Sequence, residues 1–173
     1  MKYKGTINRS FFVGIYMEND TFYMRKALEL AKEAAEIGEV PIGAVVVKKA
    51  TGEIVGTGYN RRECAKSPLA HGEIIAINEA SKTLGGWRLI DCEIYVTLEP
   101  CPMCTGAIIN SRLERVIYGA SDAKAGSCGS VINLFDFPYN HIPEITAGVL
   151  QDQCSEILSD FFKSLRQNKQ QKA

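Results

Sequence analysis

The chain lacks any stretch near the ~20 consecutive apolar residues of a membrane span. The run from Phe11 to Tyr16 is too short and too weakly flanked for a secretory core. Net charge is missing too: at +0, overall electrostatics recruits no nucleic acid, and such binding would depend on a local patch. Histidine occurs twice and tryptophan once, and no internal repeat is present. Six cysteines occur, but 173 residues with 46% hydrophobic and 23% charged content bury roughly two-thirds of their unfolded surface without staples. Cys64, Cys92, Cys128 and Cys154 stand isolated and are expected to be reduced thiols. Together these features describe a soluble, cytoplasmic, single-domain protein. Residues 1–19 are interrupted by Gly5, Asn8, Ser10 and Gly14. They are expected to be an appendage, disordered in part, ahead of a domain over residues 20–173.

Within that domain, Asp20 offers an N-cap for a helix to about Ile37. Its apolar positions Met24, Ala27, Leu28, Ala31, Ala34 and Ala35 recur at helical spacing, and Gly38 supplies the stop. Pro41 opens Ile42–Val47, apolar on both faces as in a central buried strand. Thr51-Gly52-Glu53 turns the chain into a second strand, Ile54–Tyr59, forming a hairpin. His71 opens a helix closed by Gly85-Gly86. A strand over Ile94–Leu98 leads into Pro102 at the first turn of the next helix. Arg115–Tyr118, a short segment near Ile145–Thr146, and a terminal helix from Gln151 to about Asn168 complete the order α-β-β-α-β-α-β-β-α. Strands alternating with helices after a hairpin predict a mixed sheet in a three-layer α/β/α sandwich.

Chemistry concentrates in His71-Gly72-Glu73 and Pro100-Cys101-Pro102-Met103-Cys104. His-x-Glu followed by Pro-Cys-x-x-Cys is the signature of zinc-dependent deaminases. One imidazole and two thiolates supply three ligands, leaving a fourth position open as in catalytic zinc sites. Both stretches fall at helix starts, where cysteines three apart share a face and the dipole favours thiolate. Glu73 is placed to move protons between water and a substrate ring. The pattern points to hydrolytic removal of an amine from a purine or pyrimidine. A closed structural site would need a further ligand, and His141 is the one spare histidine. A redox Cys-x-x-Cys would not explain the paired His-x-Glu.

At Pro41-Ile42-Gly43-Ala44, Tyr59-Asn60-Arg61, His71-Gly72-Glu73, Trp87-Arg88-Leu89, Val96–Cys104 and Asp122-Ala123-Lys124-Ala125-Gly126, the chain resembles bacterial tRNA adenosine deaminases, over about Asp20 to Arg166. The resemblance implies a cytidine-deaminase-like fold, a homodimer, one zinc per subunit and conversion of the wobble adenosine in a tRNA anticodon stem-loop to inosine. His71, Cys101 and Cys104 match the zinc ligands, and Glu73 the proton shuttle. Asn60 would bond the target base, Ile42 would line its pocket, and Ala70 would stand beside it. Asp122 and Lys124 would meet the RNA. Asn140 and His141 resemble a pair beside the flipped anticodon, and Phe162 and Arg166 resemble contacts to flanking nucleotides. Gly72 departs from the usual alanine, which would loosen the helix start and pocket wall. The approach Asp136–Tyr139 is also unusual.

Other readings of the residues remain open. Phe161 and Phe162 are adjacent, so one belongs to the core and the other is free to stack on a base. Arg61, Arg62 and Lys66 could rim the site, although a charged run is ordinarily a solvated face. A deaminase of a free base or nucleotide (guanine, cytosine or deoxycytidylate) would use the same zinc and glutamate. An inactive RNA-binding subunit would have no need of Glu73.

Overall fold

The computed structural model describes the backbone of residues 9–170 and the side chains of 19–168 and 170. Residues 1–8 of the expected appendage lie outside the described residues. Residues 9–19 continue the first helix, α1, which spans Arg9–Glu36. Asp20 therefore does not cap a helix. It lies inside α1, 6% exposed, and accepts a hydrogen bond from Tyr95 Oη at 2.8 Å and one from the Arg115 guanidinium. The polar partner that drew Asp20 inward belongs to the sheet, beyond the reach of local sequence. The far end of α1 follows its sequence signal. Gly38, at φ 81°, donates to Ala35 O while Glu39 N donates to Ala34 O, the paired bonds of a Schellman stop.

Five strands follow the expected order: β1 Gly43–Lys48, β2 Glu53–Tyr59, β3 Cys92–Leu98, β4 Arg115–Ala120 and β5 Glu144–Ala147. In space they run β2-β1-β3-β4-β5. β1 pairs antiparallel with both β2 and β3, and β3-β4-β5 are parallel, so the sheet is mixed. Helices α2 (Gly72–Thr83), α3 (Pro102–Ser111) and α4 (Gln151–Gln170) complete the chain. Side chains alternate along β1 between two cores. Ala44 and Val46 join Ala76, Ala80 and Ile108 under α2 and α3. Val45 and Val47 join Met24, Ala27 and Cys154 under α1 and α4. An apolar-on-both-faces strand is what two helical layers require. Among the described residues, no helix is long and apolar enough to cross a membrane.

Two glycines let the layers close. A Cβ at Gly43 would overlap the backbone of α1 at Ala27, and one at Gly58 would overlap Gly72 O and stand 2.7 Å from Ala76 N of α2. Helix α2 is thus seated directly on β2. The parallel pair β3-β4 ends beside the start of β1, and both α2 and α3 begin at that edge. Ligands of open α/β sheets bind outside the carboxyl ends of such strands.

Candidate active site

Two helix starts build this site. His71 is the N-cap residue of α2 (φ −79°, ψ 148°), and Cys101 is the N-cap residue of α3, with Pro102 in its first turn. Neither side chain is spent on capping, so both are free to point at a common centre. His71 Nδ1 lies 3.7 Å from Cys101 Sγ and 3.5 Å from Cys104 Sγ. All three ligand atoms fall within 4.8 Å of one another, and theirs is the one such cluster among the described residues. Zinc bonds of about 2.3 Å to sulfur and 2.0–2.1 Å to nitrogen, at tetrahedral angles, require an N···S edge of about 3.6 Å. The donor set therefore fits zinc in both chemistry and span.

Without a cation the two thiols cannot both ionise comfortably. A hydrogen bond from Cys104, aided by His71, brings Cys101 down to about 4. Donation to Cys101, together with burial, holds the Cys104 thiol far above its ordinary value. One negative charge is thus shared across the pair, and a divalent ion would stabilise the second. His71 is raised, chiefly by its hydrogen bond with Cys101.

Glu73 lies in the first turn of α2, 3% exposed, and its Oε2 has no hydrogen-bond partner. Burial raises its pKa. A buried carboxyl with a free oxygen facing a cavity is equipped to take up a proton and return it. That cavity holds about 190 Å³, with Val40, Ile42 and Leu98 as its apolar wall and Asn60, Arg62, Glu73, Glu99 and Asp122 in its polar lining. Against the roughly 300–1,000 Å³ of drug-sized pockets, it is sized for a single ring system. A larger groove of about 470 Å³ between α1 and α4 contains no metal-ligating or nucleophilic set.

Several sequence-derived site residues converge here: Ile42, Asn60, His71, Glu73, Cys101 and Asp122 line the cavity, and Cys104 completes the ligand set. Ala70 adjoins His71 and accepts from Arg61 N through its carbonyl. Lys124 is exposed, and its backbone N–H donates to Asp122 Oδ1 at 2.9 Å. Phe162 and Arg166 are exposed on α4, outside the cavity. Phe161 is the more buried of its pair, as helical geometry requires.

Asn140 and His141 do not reach this cavity within one chain. They precede β5, and His141 Nε2 bonds Leu113 O at 2.6 Å, before the first residue of β4. The length of β4, roughly 17–20 Å at 3.3 Å per residue, separates them from the cavity edge.

Gly72 is the first residue of α2. A Cβ there would stand 3.1 Å from Tyr59 Cα and 3.3 Å from Ile42 O, so its hydrogen sits in a tight backbone seam.

Two carboxylates escaped sequence reasoning. Glu39, 1% exposed, accepts from Asn60 Nδ2 at 3.3 Å and from Cys64 N at 2.8 Å, holding the Asn60 amide in place. Glu99, 2% exposed, gathers the loop containing Asp122. Their one local signal is an acidic residue wedged between an element end and a proline.

The model of the MafB19-like deaminase family matches residues 18–166. The tRNA-specific adenosine deaminase of Bacillus subtilis (strain 168) is 48% identical over 154 residues, covering 88% of this chain and 94% of that protein. The enzyme of the same name from Haemophilus influenzae is 47% identical, covering 88% of both chains. A solved structure from work on A-to-I editing by tRNA:A34 deaminases superposes at a TM-score of 0.76 with 40% identity, over 80% of this chain and 99% of that one. The guanine deaminase of Nitrosomonas europaea superposes at 0.72 with 26% identity, over 82% and 83%.

Proposed function

The chain belongs to the tRNA-specific adenosine deaminases, within the MafB19-like deaminase family, and from that premise we propose that it hydrolytically deaminates the wobble adenosine of a tRNA anticodon to inosine. The observation that carries this reading is Glu73, buried with a free carboxylate oxygen beside a His/Cys/Cys set in a cavity sized for one base.

His71, Cys101 and Cys104 hold one zinc, which when bound lowers the pKa of a water toward ~7 and supplies a nucleophile at neutral pH. The protein's residues do the rest. Asn60, fixed by Glu39, orients the base, and Ile42 packs against its face. Glu73 removes a proton from the attacking water and delivers it to ring N1 as the C6–O bond forms. It then carries the remaining hydroxyl proton to the exocyclic nitrogen, the C6–N6 bond breaks, and ammonia leaves. Water is consumed, ammonia is released, and the purine keeps a carbonyl at C6.

The rest of the molecule serves the RNA. Arg62 at the cavity and Asp122 and Lys124 on the adjoining loop meet the nucleotides around the flipped base. Phe162 and Arg166 on α4 meet those further out. Sequence-specific RNA recognition acts on such splayed single-stranded loops. The catalytic unit is residues 20–173, and residues 1–19 take no part in the chemistry. The protein works as a cytoplasmic homodimer. The exposed Val131, Ile132, Phe137 and Ile142, beyond the substrate loop, support a paired surface. Asn140 and His141 would then approach an anticodon held by the other subunit.

Steady-state turnover on an anticodon stem-loop with adenosine at the wobble position tests this reading, with free adenosine, guanine and cytidine alongside. Inosine in the RNA with no comparable turnover of the small substrates is the expected result. Preferential turnover of guanine or another free base would replace it with the free-base reading.

A further inference from the structure

Glu99 follows β3 directly and ends in a buried carboxylate that belongs neither to the zinc ligand set nor to the proton path. Its Oε1 accepts from Cys128 N and Ser130 N, each at 3.0 Å. Its Oε2 accepts from Asp122 N at 3.0 Å and from the Ser130 hydroxyl. Four donors from three residues of one loop thus converge on a single side chain.

The loop closes around it. Gly126 N donates to Asp122 O at 2.9 Å, Ser127 N to Pro100 O at 3.0 Å, and Val131 N to Gly126 O at 3.0 Å. Gly126 is bare where it passes the carboxylate, since a Cβ there would overlap Glu99 and stand 2.6 Å from Asp122 O. Glu99 is itself anchored, its N–H donating to Ala120 O at 2.8 Å at the end of β4. The carboxylate fills a nest of backbone N–H groups much as a bound anion would.

We propose that Glu99 is the positioning residue of the substrate loop, setting where Asp122 and Ala125 stand at the cavity mouth and so governing how the enzyme engages RNA beyond the target base. Asp122 and Ala125 both line the cavity, yet the loop that bears them has little regular structure of its own. Its shape is imposed from within by one side chain on a rigid strand end. The substrate class involved, a nucleotide chain rather than a free base, rests on the reading given above. The loop geometry itself does not.

The test uses Glu99→Gln, which keeps the shape but turns one acceptor oxygen into a donor facing donors, and Ser130→Ala, which removes a single hydroxyl donor. Two readouts are taken on the zinc-loaded protein: amide hydrogen exchange of residues 121–130 and steady-state kinetics on the anticodon stem-loop. In Glu99→Gln, exchange at Asp122, Cys128 and Ser130 should accelerate on the order of tenfold or more, with KM rising about tenfold and kcat falling several-fold less. Ser130→Ala should move both in the same direction by about threefold, and it serves alone if Glu99→Gln does not fold. Unchanged exchange in these variants, or a loss confined to kcat, overturns the proposal. If the wild-type protein does not turn over the stem-loop, the RNA reading falls, and the exchange result still judges Glu99 by itself.

Discussion

Replacing Glu73 with glutamine separates proton transfer from metal binding. The side chain is buried, Oε2 has no partner, and burial raises its pKa. Glutamine keeps the volume but cannot take a proton from water or return one. A single general acid–base group contributes about 10²–10⁴-fold, and Glu73 serves both the attack and the departure of the amine. A fall in kcat of about 10³-fold or more is expected, equivalent to about 4 kcal/mol at 1.36 kcal/mol per tenfold. Folding should suffer little. Removing a buried charge offsets the cost of a neutral amide without a full set of partners, so stability stays within about 1 kcal/mol, or 2–4 °C in melting temperature. Metal content by mass spectrometry should remain at one ion per chain. Loss of the metal would show that Glu73 is a ligand, and a kcat loss below tenfold would show that the proton travels elsewhere.

Other outcomes follow from the same geometry. Gly58→Ala forces a methyl against Gly72 O and the Ala76 nitrogen, lifting α2 and its N-cap His71, and should cost about 1–3 kcal/mol, seen as a melting temperature lower by several degrees. An unchanged melt would contradict the close seat of α2 on β2. Asp122→Ala should raise KM for the stem-loop far more than it lowers any residual turnover of free adenosine, and equal losses would count against an RNA contact. Glu114 accepts from Lys49 Nζ at 2.8 Å and Asp91 N at 2.9 Å, and chiefly the Lys49 bond lowers its pKa. Its contribution is present above the unfolded carboxyl value of about 4.3 and is lost as pH falls through the lower folded value. Glu114→Gln should therefore be less stable than wild type at pH 7, with the gap closing on acid titration; a gap unchanged at low pH would refute the pairing.

Features written in local chemistry were the ones the sequence disclosed. His-x-Glu and Pro-Cys-x-x-Cys fall at helix starts because proline and capping positions are local matters, and the ligands came together as expected. The apolar run of β1, the glycine stops and the terminal helix were legible for the same reason. What stayed hidden depends on partners far along the chain. Asp20 reads as a cap until Tyr95 and Arg115, 75 and 95 residues away, claim it. Glu39 and Glu99 carry no partner nearby in sequence, and only the folded chain brings Asn60 to one and the loop at Asp122 to the other. The seam in which Gly72 sits, against Tyr59 and Ile42, is likewise set by residues earlier in the chain. The Asn140–His141 pair lies at the opposite end of β4 from the cavity, so any approach of it to the substrate would have to come across two chains.

In the proposed reaction, one zinc held by His71, Cys101 and Cys104 serves Glu73 in deaminating a wobble adenosine. Titrating zinc into chelator-stripped protein while following inosine at the wobble position of the stem-loop tests it most directly. No activity is expected without metal, with a linear rise that breaks at one zinc per chain. Inosine formation by the metal-free protein, or a break at another stoichiometry, would contradict it.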